Sequence, residues 1–98
     1  MPRTPRTRPR DLSEEWPRVK AEDAAAEKAR QFVLNVRVAM GTRSLREVAN
    51  LADINHATLK AVLDGSVWAD TATLAKLEIG LGVPLWPAQP RRRTRPAR

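Results

Sequence analysis

The side chains of this 98-residue chain best equipped for chemistry are guanidinium groups, and they crowd at its two ends. Arg3, Arg6, Arg8 and Arg10 fall in the first ten residues; Arg91, Arg92, Arg93, Arg95 and Arg98 fall in the last ten, and neither end holds an acid. Of the 18 Lys and Arg, nine are terminal, while the stretch between carries the other nine against all 11 Asp and Glu. The net +7 therefore divides into +9 at the ends and −2 in the body. A planar fork of donors that stays charged at any working pH binds phosphate, and several together release the counterions of a polyanion. The tetrapeptide Arg-Thr-Arg-Pro stands in both arms, at Arg6–Pro9 and again at Arg93–Pro96. The chemistry on offer is neutralisation of a nucleic-acid backbone, and a solvated tail that raises solubility is the plainer alternative.

Bond-making chemistry is poorly provided for. His56 is the only histidine and cysteine is absent, so neither a metal cluster nor a disulfide framework can be assembled from the usual ligands. No nucleophile–base set and no Gly-rich phosphate loop can be found. The expectation is a protein that is not an enzyme and takes no metal and no cofactor. No apolar run approaches the ~18 residues of a membrane span, and the basic N-terminus lacks the apolar segment of a secretory signal. A soluble, cytoplasmic protein without a membrane partner is expected.

The elements that must position these groups are helical. Prolines at 2, 5 and 9, and at 87, 90 and 96, predict disordered arms over residues 1–10 and 87–98. Residues 11–86 are expected to form an all-α, compact bundle of four to five helices. "DLSEEWPRVKAEDAAAEKARQFVLNVRVAMG" predicts one long helix, or two with a break near 21–24, ending at Gly41. Phe32, Val36 and Met40 recur with helical spacing, and "VLNVRVAM" is apolar almost all round, which predicts a core position. Trp16 and Val19 either dock the front of this segment on the body or contact a partner.

Ser44–Glu47, "SLRE", is a capping box that opens a short helix to Ala52. Asn55 can cap a further helix, "HATLKAVLD", stopped by Gly65; Asp70 can cap "TATLAKLEIGL", ended by Gly82 with Pro84 beyond. Within "LREVANLADINHATLKAV" the spacing is that of a helix-turn-helix. Ala49 is small where two helices cross. Val48, Ala52, Ile54, Leu59 and Val62 are the expected buried contacts, and Asp53 sits where the turn needs a positive φ.

"SLREVANLADINHATLKAVLDG" with "DTATLAKLEIGLGV" resembles the lambda-repressor/Cro-type (XRE-like) helix-turn-helix family over roughly residues 29–86. It departs from that pattern at the turn glycine, here Asp53, and at a glutamine often opening the second helix, here Leu45. The short length, the excess of Arg over Lys and "WP" after the last helix are also similar to small repressors of actinobacterial phages. The resemblance implies a recognition helix over about residues 55–64 lying in the major groove of double-stranded DNA. Asn55, His56, Ala57, Thr58, Lys60 and Ala61 would face the bases: Lys60 donating to guanine, His56 donating or accepting, the alanines touching thymine methyls. Arg43, Ser44, Arg46, Ser66, Trp68 and Thr71 would hold the backbone. "RTRP" is similar to the Arg-x-Arg-Pro core of minor-groove hooks, with Thr where such hooks carry Gly. The competing reading is an ordinary bundle with Lys60 and His56 on a solvated face.

The function expected on these grounds is a sequence-specific repressor, of phage or prophage type, acting by promoter occlusion. An antitoxin or an excision or architectural factor is the alternative, and a helical protein-interaction adaptor a further one. With no room for a separate dimerisation domain, a monomer is expected, any weak dimer forming through the N-terminal helix around Trp16.

Overall fold

The computed structural model describes residues 7–88, and among them every regular element is helical. A 3-10 turn, Pro9–Leu12, precedes α1 (Ala24–Met40), α2 (Leu45–Ala52), α3 (His56–Leu63) and α4 (Thr71–Leu81). Expectations about residues 1–6 and 89–98, including the second Arg-Thr-Arg-Pro, lie outside the described residues.

Each helix starts on a side chain that answers an orphan amide. Asp23 accepts the N–H of Ala26, Ser44 that of Glu47, Asn55 that of Ala57, and Asp70 that of Thr73. The capping box is complete, since the Ser44 N–H also donates to Glu47 Oε1 at 3.1 Å. The helix ends follow the same logic, with Asp53 at φ 55 and Gly82 at φ 71 both in the left-handed region.

The apolar faces so presented meet in one core. Phe32, Val33 and Val36 of α1, Val48, Ala49 and Ala52 of α2, Leu59, Val62 and Leu63 of α3, Leu77 of α4 and Leu85 beyond it are all buried. Truncating a side chain such as Leu59, wholly buried, to alanine costs about 2–5 kcal/mol in such a core. α2 and α4 approach until a Cβ on Gly80 would lie 2.6 Å from the Leu51 carbonyl oxygen, so only glycine fits that crossing.

Three expectations are corrected. Residues 11–23 are not α-helix: beyond the 3-10 turn the chain runs irregularly to Asp23, with a cis Trp16–Pro17 bond. Side chains answer its backbone in place of a helical ladder. Glu27 accepts the Ala21 N–H, Arg30 donates to the Pro17 carbonyl, and the Ser13 hydroxyl donates to that of Val19. Next, residues 7–10 belong to the folded body rather than to an arm: Pro9 is fully buried, and the Arg10 N–H donates to the Gly65 carbonyl at 3.1 Å. Finally, "VLNVRVAM" is not buried all round, because Val38 is 81% exposed on the side of α1 that nothing covers.

Candidate nucleic-acid interface

α2, the turn Asp53–Asn55 and α3 form a rigid corner. The Ile54 N–H donates to the Ala49 carbonyl and the Asp53 N–H to that of Asn50, so the turn hangs from the end of α2 by its own backbone. With Leu59, Val62 and Leu63 turned into the core, α3 is left with His56, Ala57, Thr58 and Lys60 exposed and Ala61 half-buried. Asn55 Oδ1 is occupied by the Ala57 N–H at 2.7 Å, which leaves its NH2 for an outside acceptor.

Lys60 is not alone on this face. Its Nζ lies 2.8 Å from Asp64 Oδ2, one turn on, with both side chains open to solvent. Such a pair contributes ~0.3–0.5 kcal/mol, so a base edge or phosphate can take the ammonium at small cost. Asp64 nonetheless places a negative charge at the end of the helix expected to meet DNA. The i, i+4 spacing of Lys60 and Asp64 is the sequence signal for this pair.

At the start of α2, Arg43, Ser44 and Arg46 are exposed together. The Leu45 and Arg46 amides have no partner among the described residues, so with the two guanidinium groups they give an oxyanion four donor groups of two kinds. Glu47 stands beside them, held below the usual carboxylate range by the Ser44 N–H first and by Arg43 last. It therefore stays ionised and offsets part of that field.

The loop after α3 is built differently. Ser66 is half-buried, its N–H given to the Ala61 carbonyl, and Thr71 is exposed at the start of α4. Trp68 is half-buried and its indole N–H donates to the Thr7 carbonyl at 2.8 Å, so the donor expected to meet a phosphate is already used inside the chain. Trp86 tilts against Phe32, ring centroids 5.7 Å apart. Of the arm residues, Arg8 is engaged too: its guanidinium reaches both oxygens of Asp11, at 2.8 and 3.0 Å. Pro9 being in the core, the first Arg-Thr-Arg-Pro is half absorbed into the fold. Arg10 is exposed.

What the sequence did not reveal is a strap, residues 7–23, that crosses the end of α3. The Trp16 indole N–H donates to the Leu63 carbonyl at 3.0 Å. The same ring lies where a Cβ on Gly65 would be, 2.6 Å away, and Arg10 Cβ closes the other side at 2.8 Å. The strap is pinned to α1 by Glu27, whose carboxylate accepts from Arg30, Gln31 and the Ala21 N–H. Arg30 above all holds that carboxyl down at about 2, against the cost of burial. At the other end of the described chain, Glu78 Oε2 of α4 accepts the N–H groups of Leu85 and Trp86, and Asn35 of α1 donates to the Leu85 carbonyl, so the exit segment is seated on α1 and α4.

Among the described residues no group of three His, Cys, Asp or Glu comes together as a metal ion would need, and no helix is long and apolar enough to cross a membrane. No family model matches the chain, and neither a curated protein nor a solved structure does.

Proposed function

We propose that this chain is a sequence-specific binder of double-stranded DNA that represses transcription by occluding a promoter, of the lambda-repressor/Cro-like kind and close in character to small phage repressors. It works as a monomer in the cytoplasm, by binding and without catalysis, cofactor or metal. The observation that carries the reading is the α2–Asp53–α3 corner. It holds a short helix rigidly by three buried residues while leaving His56, Ala57, Thr58 and Lys60 outward at one end of a capped, arginine-flanked partner helix. That arrangement suits a helix laid in a major groove with its neighbour's N-terminus on a phosphate.

Half of the basic residues stand at the chain ends, where they carry no sequence information, and this favours a second reading as an architectural DNA-binding factor. Selection from random duplex DNA separates the two. With the full chain a motif emerges; Lys60→Ala blurs it at one or two positions, at a cost of about 1–3 kcal/mol per lost base contact. Enrichment of no motif, with steep salt dependence unchanged by Lys60→Ala, establishes the architectural reading instead.

A further inference from the structure

The end of α3 is closed by a residue from outside the α2–α3 corner. A helix leaves its last four carbonyls without partners of its own, and in α3 these belong to Lys60, Ala61, Val62 and Leu63. Three are answered locally: Lys60 by the Asp64 N–H at 2.9 Å, Ala61 by that of Ser66 at 2.9 Å, and Val62 by that of Gly65 at 3.1 Å. The fourth, Leu63, accepts the Trp16 indole N–H at 3.0 Å, a donor 47 residues away along the chain. The Arg10 N–H takes the Gly65 carbonyl at 3.1 Å, so the strap grips the exit of α3 twice. The fit is as close as the bonding, for a Cβ on Gly65 would lie 2.6 Å from the Trp16 ring.

Two fixed points set the angle of a short helix, and α3 has one at each end. The first is the turn, where the Ile54 N–H donates to the Ala49 carbonyl of α2. The second is Trp16 on Leu63. Between them Leu59, Val62 and Leu63 bury the inner face, but apolar contact has no direction and allows a change of tilt that a hydrogen bond resists. Measured along the helix axis from Ile54, Lys60 lies ~9 Å away and His56 ~3 Å. A tilt of ~10° about the turn therefore carries Lys60 by ~1.5 Å and His56 by ~0.5 Å, while a recognition geometry must be held to within ~0.5 Å.

We infer that Trp16 is a positioning residue for base recognition: its indole N–H on the Leu63 carbonyl sets the tilt of α3 and so the placing of Lys60 on the bases. Trp16 acts through the helix it holds and touches no base itself. Binding that depends on charge alone is left in place when the angle changes, so discrimination suffers more than affinity.

The inference rests on the DNA-binding reading, and the experiment separates the two. Trp16→Phe keeps an aromatic ring beside Gly65 and removes the N–H, whereas Gly65→Ala leaves Trp16 intact and displaces its ring. Gly82→Ala is the control, since a Cβ there meets nothing within 4 Å. Each variant is put through selection from random duplex DNA at a temperature where thermal unfolding shows it folded. Lys60→Ala and His56→Ala assign the base positions that those two side chains read. Trp16→Phe and Gly65→Ala are expected to lower discrimination at the Lys60 position about five- to tenfold, and at the His56 position less than about twofold. Gly82→Ala should keep the parent motif. Loss spread equally over all positions, or greatest at the His56 position, makes Trp16 a general stabiliser and overturns the inference. A motif left unchanged by both variants overturns it too, and in each of these cases the DNA-binding reading stands. If Trp16→Phe does not fold, Gly65→Ala decides alone. A parent chain that enriches no motif removes the reading of sequence-specific binding and this inference with it.

Discussion

The α2–α4 block and the strap that precedes α1 are both held by hydrogen bonds to carbonyls and amides, but the partners differ in range. In the block, each start signal acts within three residues: Ser44 on Glu47, Asn55 on Ala57, Asp70 on Thr73. In the strap, the decisive contacts run from Trp16 to Leu63 and from Arg10 to Gly65. The block brings its own instructions, whereas the strap takes a shape only because the end of α3 is already there to receive it. Local signals therefore build the candidate recognition face, and long-range contacts determine how firmly its far end is held.

Two glycines test that contrast directly. Gly65 and Gly82 share φ 71, but a Cβ at Gly65 meets the Trp16 ring at 2.6 Å while one at Gly82 meets nothing within 4 Å. Gly82→Ala is expected to cost about 1 kcal/mol, the conformational penalty alone, and Gly65→Ala about 3 kcal/mol as the strap is pushed off. Thermal unfolding measures both, and only Gly65→Ala should shift the Trp16 indole N–H resonance. Equal costs would show that the strap adds nothing at this point.

Glu27 pins the other end of the strap, and Glu27→Gln is expected to lose ~2 kcal/mol, roughly 10 °C in Tm, as charge-assisted bonds to Arg30 and to the Ala21 amide weaken. Its carboxyl titrates at about 2 when folded against an ordinary 4.5. The folded form holds the proton less tightly, so this stabilisation is complete above about 4.5 and disappears as pH falls from there towards 2. Tm measured from pH 6 to pH 2 should fall more steeply for the parent chain than for the variant. The exposed capping acids act on both proteins alike, and parallel curves would remove Glu27 from the account.

In the block, Ser44→Ala should cost ~1 kcal/mol by thermal unfolding and leave the strap signals unmoved. The smallest expected change is Asp64→Asn, which frees Lys60 and removes a negative charge beside the DNA. Stability should change by under ~0.5 kcal/mol, while DNA binding tightens and the slope of log K against log salt steepens by about 1. An unchanged slope would place α3's end off the DNA.

Much of this fold was legible residue by residue. The Ser44 box, the Asn55 and Asp70 caps, the left-handed Asp53 and the stop at Gly82 are each decided by groups within four residues, where the chain's own geometry fixes who meets whom. Buried positions such as Val48, Leu59 and Val62 followed from the helical period. The candidate site was readable to the same depth and no further. The helical period predicts the exposure of His56, Thr58 and Lys60, their use is a proposal, and the i, i+4 spacing of Asp64 is the signal for the partner of Lys60.

By itself, then, the sequence determined α2, α3 and α4, their boundaries and the charge carried at each end, because caps, periodicity and composition are local or additive. Tertiary structure alone decided that residues 11–23 form a strap rather than a helix, that the first Arg-Thr-Arg-Pro is half folded in, and that Trp16 closes the end of α3. Each of those outcomes depends on groups distant in sequence, Trp16 with Leu63, Trp68 with Thr7, Lys28 with Ala88, whose meeting no local rule encodes. They are settled only once the core has closed and presented the surface on which the ends must lie.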